Sequence, residues 1–151
     1  MVVLKRLDDA IRDGDNIRTI IRHSASNQDG RTNGITLPSQ AAQEALALKV
    51  LKEVGYSPSD IQYAEAHGTG TKAGDNAELR SLRNVLCNGR SADQPLIVGT
   101  IKPNIGHTEA ASGAAGLIKA ILCMEKGLIP PHLNLENLKP GLDPEAWGLK
   151  V

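Results

Sequence analysis

Two apolar runs, Ile61 to Ala66 and Leu96 to Ile101, are each followed by a glycine-containing turn that carries ionisable residues, and then by a stretch with helical spacing of its apolar positions. A strand that passes through a helix into a second strand of the same sheet has to cross over, and the crossover leaves the two strands parallel. This doubled arrangement therefore restricts the chain to an α/β architecture with helices on the faces of a mostly parallel sheet. In such a sheet the carboxyl ends of the strands share one edge, where ligand crevices form. The first run leads into His67 and the second into Lys102, with His107 shortly after it. Adjacent strands would bring these three side chains to one crevice.

The remaining segments fit around that unit. Val2 to Leu7 and Arg18 to His23 read as short strands, with a brief helix from Leu7 to Arg12 between them, stopped by Gly14. Ser24 to Pro38 is a long polar loop. Ser39 is placed to cap a helix from Gln40 to Val54, where Leu46, Ala47, Val50, Leu51 and Val54 share a face and Gly55 ends the run. After the glycine loop, Asp75 with Glu78 three residues on resembles a capping box that starts a helix with Leu79, Leu82 and Leu86 as its buried stripe. A further helix is predicted from near Thr108 to about Lys126, with Leu117, Ile118, Ile121 and Leu122 on one side and Cys123 on the other. From Gly127 onward Pro130, Pro131, Pro140 and Pro144 predict an extended arm, with regular structure only from Trp147 to Val151.

Composition excludes several function classes. Among 151 residues, 17 Lys+Arg balance 17 Asp+Glu, so the basic footprint that nucleic-acid binding requires is missing. No apolar run is long enough to span a membrane, and Met1 does not open a signal peptide, which predicts a cytoplasmic protein. The two cysteines, Cys87 and Cys123, form no CxxC or Cys/His cluster, so neither a disulfide framework nor a structural metal site is expected. Neither lies on a sharp strand-to-helix elbow, and both read as packing residues rather than nucleophiles. The chain contains no Phe. Either its layers pack tightly through Ala and Gly, or the aromatic part of its core lies elsewhere.

An imidazole against a helix N-terminus is held neutral and donates an N–H toward developing negative charge, and two such donors make an oxyanion hole. The glycines beside His67 and His107 clear room for a ligand, and the hydroxyls of Thr69 and Thr71 suit an amide-bearing substrate. The residues alone leave the bland alternative open: a structural histidine, a tight Gly-Thr-Gly-Thr turn and a solvated Lys102. Gly68, Gly70 and Gly74 do not form GxGxxG, which argues against a nucleotide. His67, His107, Glu65 and Cys87 are the set a metal hydrolase would need, without the local spacing of one. His23 and His132 read as surface or structural.

The string Glu65-Ala-His-Gly-Thr-Gly-Thr-Lys-Ala-Gly-Asp75, followed by Gly99-Thr-Ile-Lys-Pro-Asn-Ile-Gly-His-Thr-Glu-Ala-Ala-Ser-Gly113, closely resembles the β-ketoacyl synthase domain of polyketide synthases. Asn27 to Ile35 and Gly127 to Pro131 fit the same family, and the tail is most similar to fungal synthases. The resemblance implies a thiolase-like fold. It also implies a reaction in which a cysteine receives an acyl chain while two histidines assist decarboxylation of an extender thioester held on an acyl carrier protein. His67 and His107 match those histidines, Lys102 the lysine that supports them, and Thr69 and Thr71 positions that contact the carrier's phosphopantetheine arm. No cofactor is expected to bind directly, and the intact family domain is expected to be a homodimer. The chain lacks the family's Thr-Ala-Cys-Ser nucleophile motif and its Asn-Ala-His motif. It therefore resembles the carboxyl-terminal half of a synthase, with Met1 inside a strand of a larger domain. It is expected to be unable to condense alone. The alternative is a non-catalytic module that binds a carrier protein or completes another synthase chain.

Overall fold

The computed structural model describes residues 1–34, 36–91, 93–138 and 141–151. Three parallel strands form its sheet in the order β1 (Tyr63–Glu65), β2 (Leu96–Gly99), β3 (Leu149–Lys150). Tyr63 stands opposite Ile97, Glu65 opposite Gly99, and Leu96 opposite Leu149. The two apolar runs of the doubled motif are thus neighbours, as the crossover argument requires.

The sheet has two different faces, because side chains alternate along a strand. Ala64, Leu96, Val98 and Leu149 face a core completed by Leu51 of helix α2 (Gln40–Val54) and by Val85 and Leu86 of helix α3 (Lys72–Leu86). Leu96 and Leu149 are the two large side chains sealed completely, at 0% and 1% exposure. Burying each contributes about 2 kcal/mol relative to an exposed position. Helix α2 forms where expected: the Ser39 hydroxyl accepts the Ala42 N–H at 3.2 Å, and Gly55 closes the helix in the left-handed conformation. The opposite face presents Tyr63, Glu65 and Gly99 to helix α5 (Ser112–Lys126).

Several elements differ from expectation. Helix α1 forms at Leu7–Arg12, but the flanking runs Val2 to Leu7 and Arg18 to His23 are not strands. Their apolar side chains instead line a cavity against the outer side of α5, with Val2, Leu4, Ile17 and Ile21 across from Leu117, Ile118 and Ile121. Among the described residues no strand pairs with them, and a strand without a ladder partner has nothing to hold it. The stripe on α5 is inverted as a result. Ile118 and Leu122 are substantially exposed, whereas Gly116 and Cys123 are buried.

Helix α3 starts at Lys72, not Asp75, because the Thr71 hydroxyl supplies the cap, accepting the Gly74 N–H at 3.2 Å. Lys102–Ile105 forms a short helix, α4, where a turn was expected, and a 3-10 turn at Glu109–Ala111 precedes α5. Among its described residues the tail is irregular from Gly127 until a 3-10 turn at Glu145–Trp147 and strand β3. Ile35 of the polar loop and Pro140 of the tail lie outside the described residues. Among the described residues, no helix is long and apolar enough to cross a membrane.

Candidate active site

Strand pairing continues one step past β1, where Ala66 donates to the Gly99 carbonyl at 2.7 Å. The chain then turns sharply at Gly68, with φ +49°. A Cβ there would stand 2.8 Å from the Thr100 methyl, so only glycine permits this approach. Both oxygens of Glu78 on α3 hold the turn, one accepting the His67 N–H at 2.6 Å and the other the Gly68 N–H at 2.8 Å. Asp75 accepts the Gly70 N–H at 3.1 Å. The acidic residues read as a capping box thus serve the loop that carries His67.

From β2 the chain passes buried Thr100 and α4 to Gly106, whose left-handed backbone turns it into His107. The rings of His67 and His107 meet edge to face, 5.2 Å between centroids and 85° between planes. The Glu109 N–H donates to His107 Nδ1 at 3.1 Å. A neutral ring so engaged carries its proton on Nε2, free to donate. Glu109 makes this bond from a left-handed backbone, φ 50°, a conformation that costs about 1 kcal/mol or more outside glycine. Strain of this kind gathers at functional sites.

His107, but not His67, sits against a helical N-terminus. Helix α3 begins beyond the Gly68 to Thr71 loop, and His107 follows the end of α4. The Glu109 N–H that orients the His107 donor is the first of the 3-10 turn leading into α5, so the helix-terminus placement expected of both rings is found at His107 and not at His67.

His107 borders a cleft of about 470 Å³ whose walls also include Gly68, Thr69, Lys102, His132 and Leu138. A smaller cleft on the other side of Lys102 is lined by His67, Ser112 and Gly113. Lys102, half-buried, lines both. Thr69 reaches the larger cleft with its hydroxyl 3.1 Å from that of Thr71, while Thr71 is occupied in capping α3. Of the five residues singled out from the sequence, Thr69, Lys102 and His107 line the larger cleft, His67 lines the smaller one, and Thr71 caps α3 beside Thr69.

Further side chains surround the site. His132, read from the sequence as surface or structural, is half-buried in the cleft wall, and its Nδ1 is buried without a partner. Burial, reinforced by the Lys119 charge, holds its ring below the ordinary histidine range against the opposing pull of Glu65. Nothing local in the tail signals this, because the fold alone carries residue 132 back across the site.

Glu65 and Lys119 form a buried ion pair at 3.0 Å, their side chains 12% and 11% exposed. The other Glu65 oxygen accepts the Ile101 N–H at 2.6 Å. The Tyr63 hydroxyl donates to the oxygen that faces Lys119, and burial together with this carboxylate pushes the phenol far above its usual range. A lysine on the sheet-facing side of an apolar helix is the signal that was available, since lysine is rarely buried unless paired.

His23 pairs with Glu53 at 2.5 Å on the surface. The metal-hydrolase set does not assemble: Glu65 is turned to Lys119, and the Cys87 thiol donates to the Gly148 carbonyl at 3.6 Å. Among the described residues no cluster of three metal-binding side chains occurs.

The chain is 57% identical over 150 residues to the highly reducing polyketide synthase sdnO of Sordaria araneosa, and 55% identical to a highly reducing polyketide synthase of Aspergillus terreus. Each alignment covers 99% of this chain but only 5% and 6% of the relative. Among solved structures, the ketosynthase from module 6 of the bacillaene synthase of Bacillus subtilis superposes with a TM-score of 0.90 at 42% identity, covering 97% of this chain and 27% of that one. An oxazolomycin ketosynthase domain from Streptomyces albus superposes with a TM-score of 0.89 at 34% identity, over 39% of its length. The fold is thus part of a thiolase-like ketosynthase. Residues 18–136 match the family described as Beta-ketoacyl synthase, C-terminal domain, and the chain belongs to that family.

Proposed function

We propose that this chain supplies the decarboxylating half of a β-ketoacyl synthase site, acting on a malonyl-type thioester carried on the phosphopantetheine arm of an acyl carrier protein. The observation that carries the reading is the edge-to-face pair of His67 and His107 at the ends of adjacent parallel strands, with the His107 proton directed to Nε2. Loss of carbon dioxide leaves its electron pair on the α-carbon, delocalised onto the thioester oxygen as an enolate. Imidazole N–H donors placed before the reaction stabilise that oxygen more than they stabilise the ground state. Lys102 adds positive charge at the same edge, and the Thr69 hydroxyl meets the pantetheine amides in the larger cleft.

In a complete synthase the enolate carbon would attack the acyl-cysteine carbonyl, forming the new carbon–carbon bond and releasing the thiolate. This sequence contains no Thr-Ala-Cys-Ser motif, so the enolate would instead take a proton and leave an acetyl thioester.

Malonyl-carrier protein given to the chain should release carbon dioxide and yield acetyl-carrier protein without a β-ketoacyl product. His67→Ala and His107→Ala should each slow that release by about 100-fold, as expected for loss of an oxyanion donor. Release that survives both substitutions would overturn the reading, as would condensation by the chain alone. Carrier binding that depends on Thr69, without any decarboxylation, would instead favour a non-catalytic docking module.

A further inference from the structure

We propose that the buried Glu65–Lys119 pair is a positioning device that holds the Lys102 to His107 segment in register with His67. The inference deepens the functional reading above and rests on it for its catalytic meaning.

The geometry connects the two catalytic arms through one side chain. Glu65 is the last residue of β1, two positions before His67. Its Oε1 reaches across to β2's exit and accepts the N–H of Ile101, the residue before Lys102. Lys119 fastens the other oxygen to α5, the helix that follows His107. Tyr63 completes the set, donating its hydroxyl to Glu65 while Lys119 lies 5.6 Å from its ring centroid. One carboxylate therefore ties together β1, the start of α4 and α5, the three elements on which His67, Lys102 and His107 depend.

Two glycines make room for it. A Cβ on Gly116 would stand 3.1 Å from Glu65 Cγ, and one on Gly99 would stand 2.7 Å from the Tyr63 hydroxyl and 3.1 Å from Lys119 Nζ. Stability alone gives little reason for the arrangement, because a buried ion pair is often matched or bettered by apolar residues of the same volume. A charge-assisted bond to a chosen backbone N–H does what an apolar replacement cannot: it fixes where the next residue goes.

The test follows amide exchange and histidine ring contacts by NMR in the full chain, with Glu65→Ala, Lys119→Met and the double substitution Glu65→Gln with Lys119→Met. Leu96, whose N–H bonds to Gly148, serves as the reference for global opening. Glu65→Ala should speed Ile101 exchange by about tenfold or more and abolish the His67–His107 ring contact, while Leu96 changes less than about threefold. Lys119→Met, which strands a buried carboxylate, should loosen Ile101 in the same way. The double substitution keeps an acceptor for Ile101 and leaves no charge unpaired. It should restore both Ile101 protection and the ring contact to within about threefold of the parent.

Parallel loss at Ile101 and Leu96 in every variant would reduce the pair to a purely structural role and overturn the proposal. So would a ring contact that survives Glu65→Ala, or a folded double variant in which Ile101 remains unprotected. Should Glu65→Ala fail to fold, the double variant decides. A parent chain that keeps these contacts but releases no carbon dioxide would overturn the functional reading alone.

Discussion

At Gly68 a left-handed backbone and a close approach coincide, whereas at Gly70, φ +79°, a Cβ would meet nothing within 4 Å. The two glycines of one loop should therefore respond differently to the same change. Gly68→Ala should destabilise the chain by about 2–4 kcal/mol, since it adds a clash with Thr100 to the backbone cost. Gly70→Ala should cost only about 1 kcal/mol. Urea denaturation of both variants checks this, and equal losses would show that the approach to Thr100 is unimportant.

Tyr63 makes a pH-dependent prediction at the same scale. Burial and the Glu65 carboxylate raise the folded phenol above its unfolded value of about 10. The folded state then keeps a proton that the unfolded state gives up, so this contribution is complete below about pH 10 and is lost as pH rises beyond it. With Tyr56→Phe in place to leave one tyrosine, no phenolate band should develop before the chain unfolds in alkali. A phenolate appearing in the folded chain near pH 10 would count against it.

His67, Thr69, Thr71 and His107 were legible in the sequence because each sits beside a glycine, and Lys102 because it follows the Leu96 to Ile101 run. The Glu65–Lys119 pair was not, since its members are far apart in the chain and meet only once β1 and α5 are stacked.

Among the elements, α2 and α3 show how much a local cap decides. Ser39 and Thr71 each accept an N–H of the first helical turn, and either change to Ala should cost about 1 kcal/mol of stability, with Thr71→Ser recovering most of it. Thr69→Ala should leave stability within about 0.5 kcal/mol of the parent, because its hydroxyl meets that of Thr71 and otherwise faces the cleft. Thermal melts that rank Thr69 with Thr71 would contradict this division between a lining residue and a cap.

Helix α2 was legible end to end, from its Ser39 cap to Gly55. The start of α3 was misplaced because Asp75 and Glu78 fit a capping box by spacing while the tertiary structure spends them on the backbone of the His67 loop. The apolar runs near the amino terminus carried a strand's composition without a strand's partner. Composition reports that side chains seek burial, not which backbone lies alongside.

For the molecule as a whole, the sheet order places β2 between a strand made earlier and one made later. Helix packing on one face and the Glu65 set on the other both lean on β2, yet its Leu96 is sealed by Leu149 from the end of the tail. A chain ending at residue 142 should therefore lose slow exchange at Leu96 and melt without a cooperative transition, while retention of both would show that α2 and α3 suffice. Order of synthesis gives this a temporal meaning. Both histidines leave the ribosome well before Leu149 does, so a nascent chain holds all the residues of its site while the edge of its central strand stands open, and the site can become rigid only after the proline-rich tail has been made and drawn back across it.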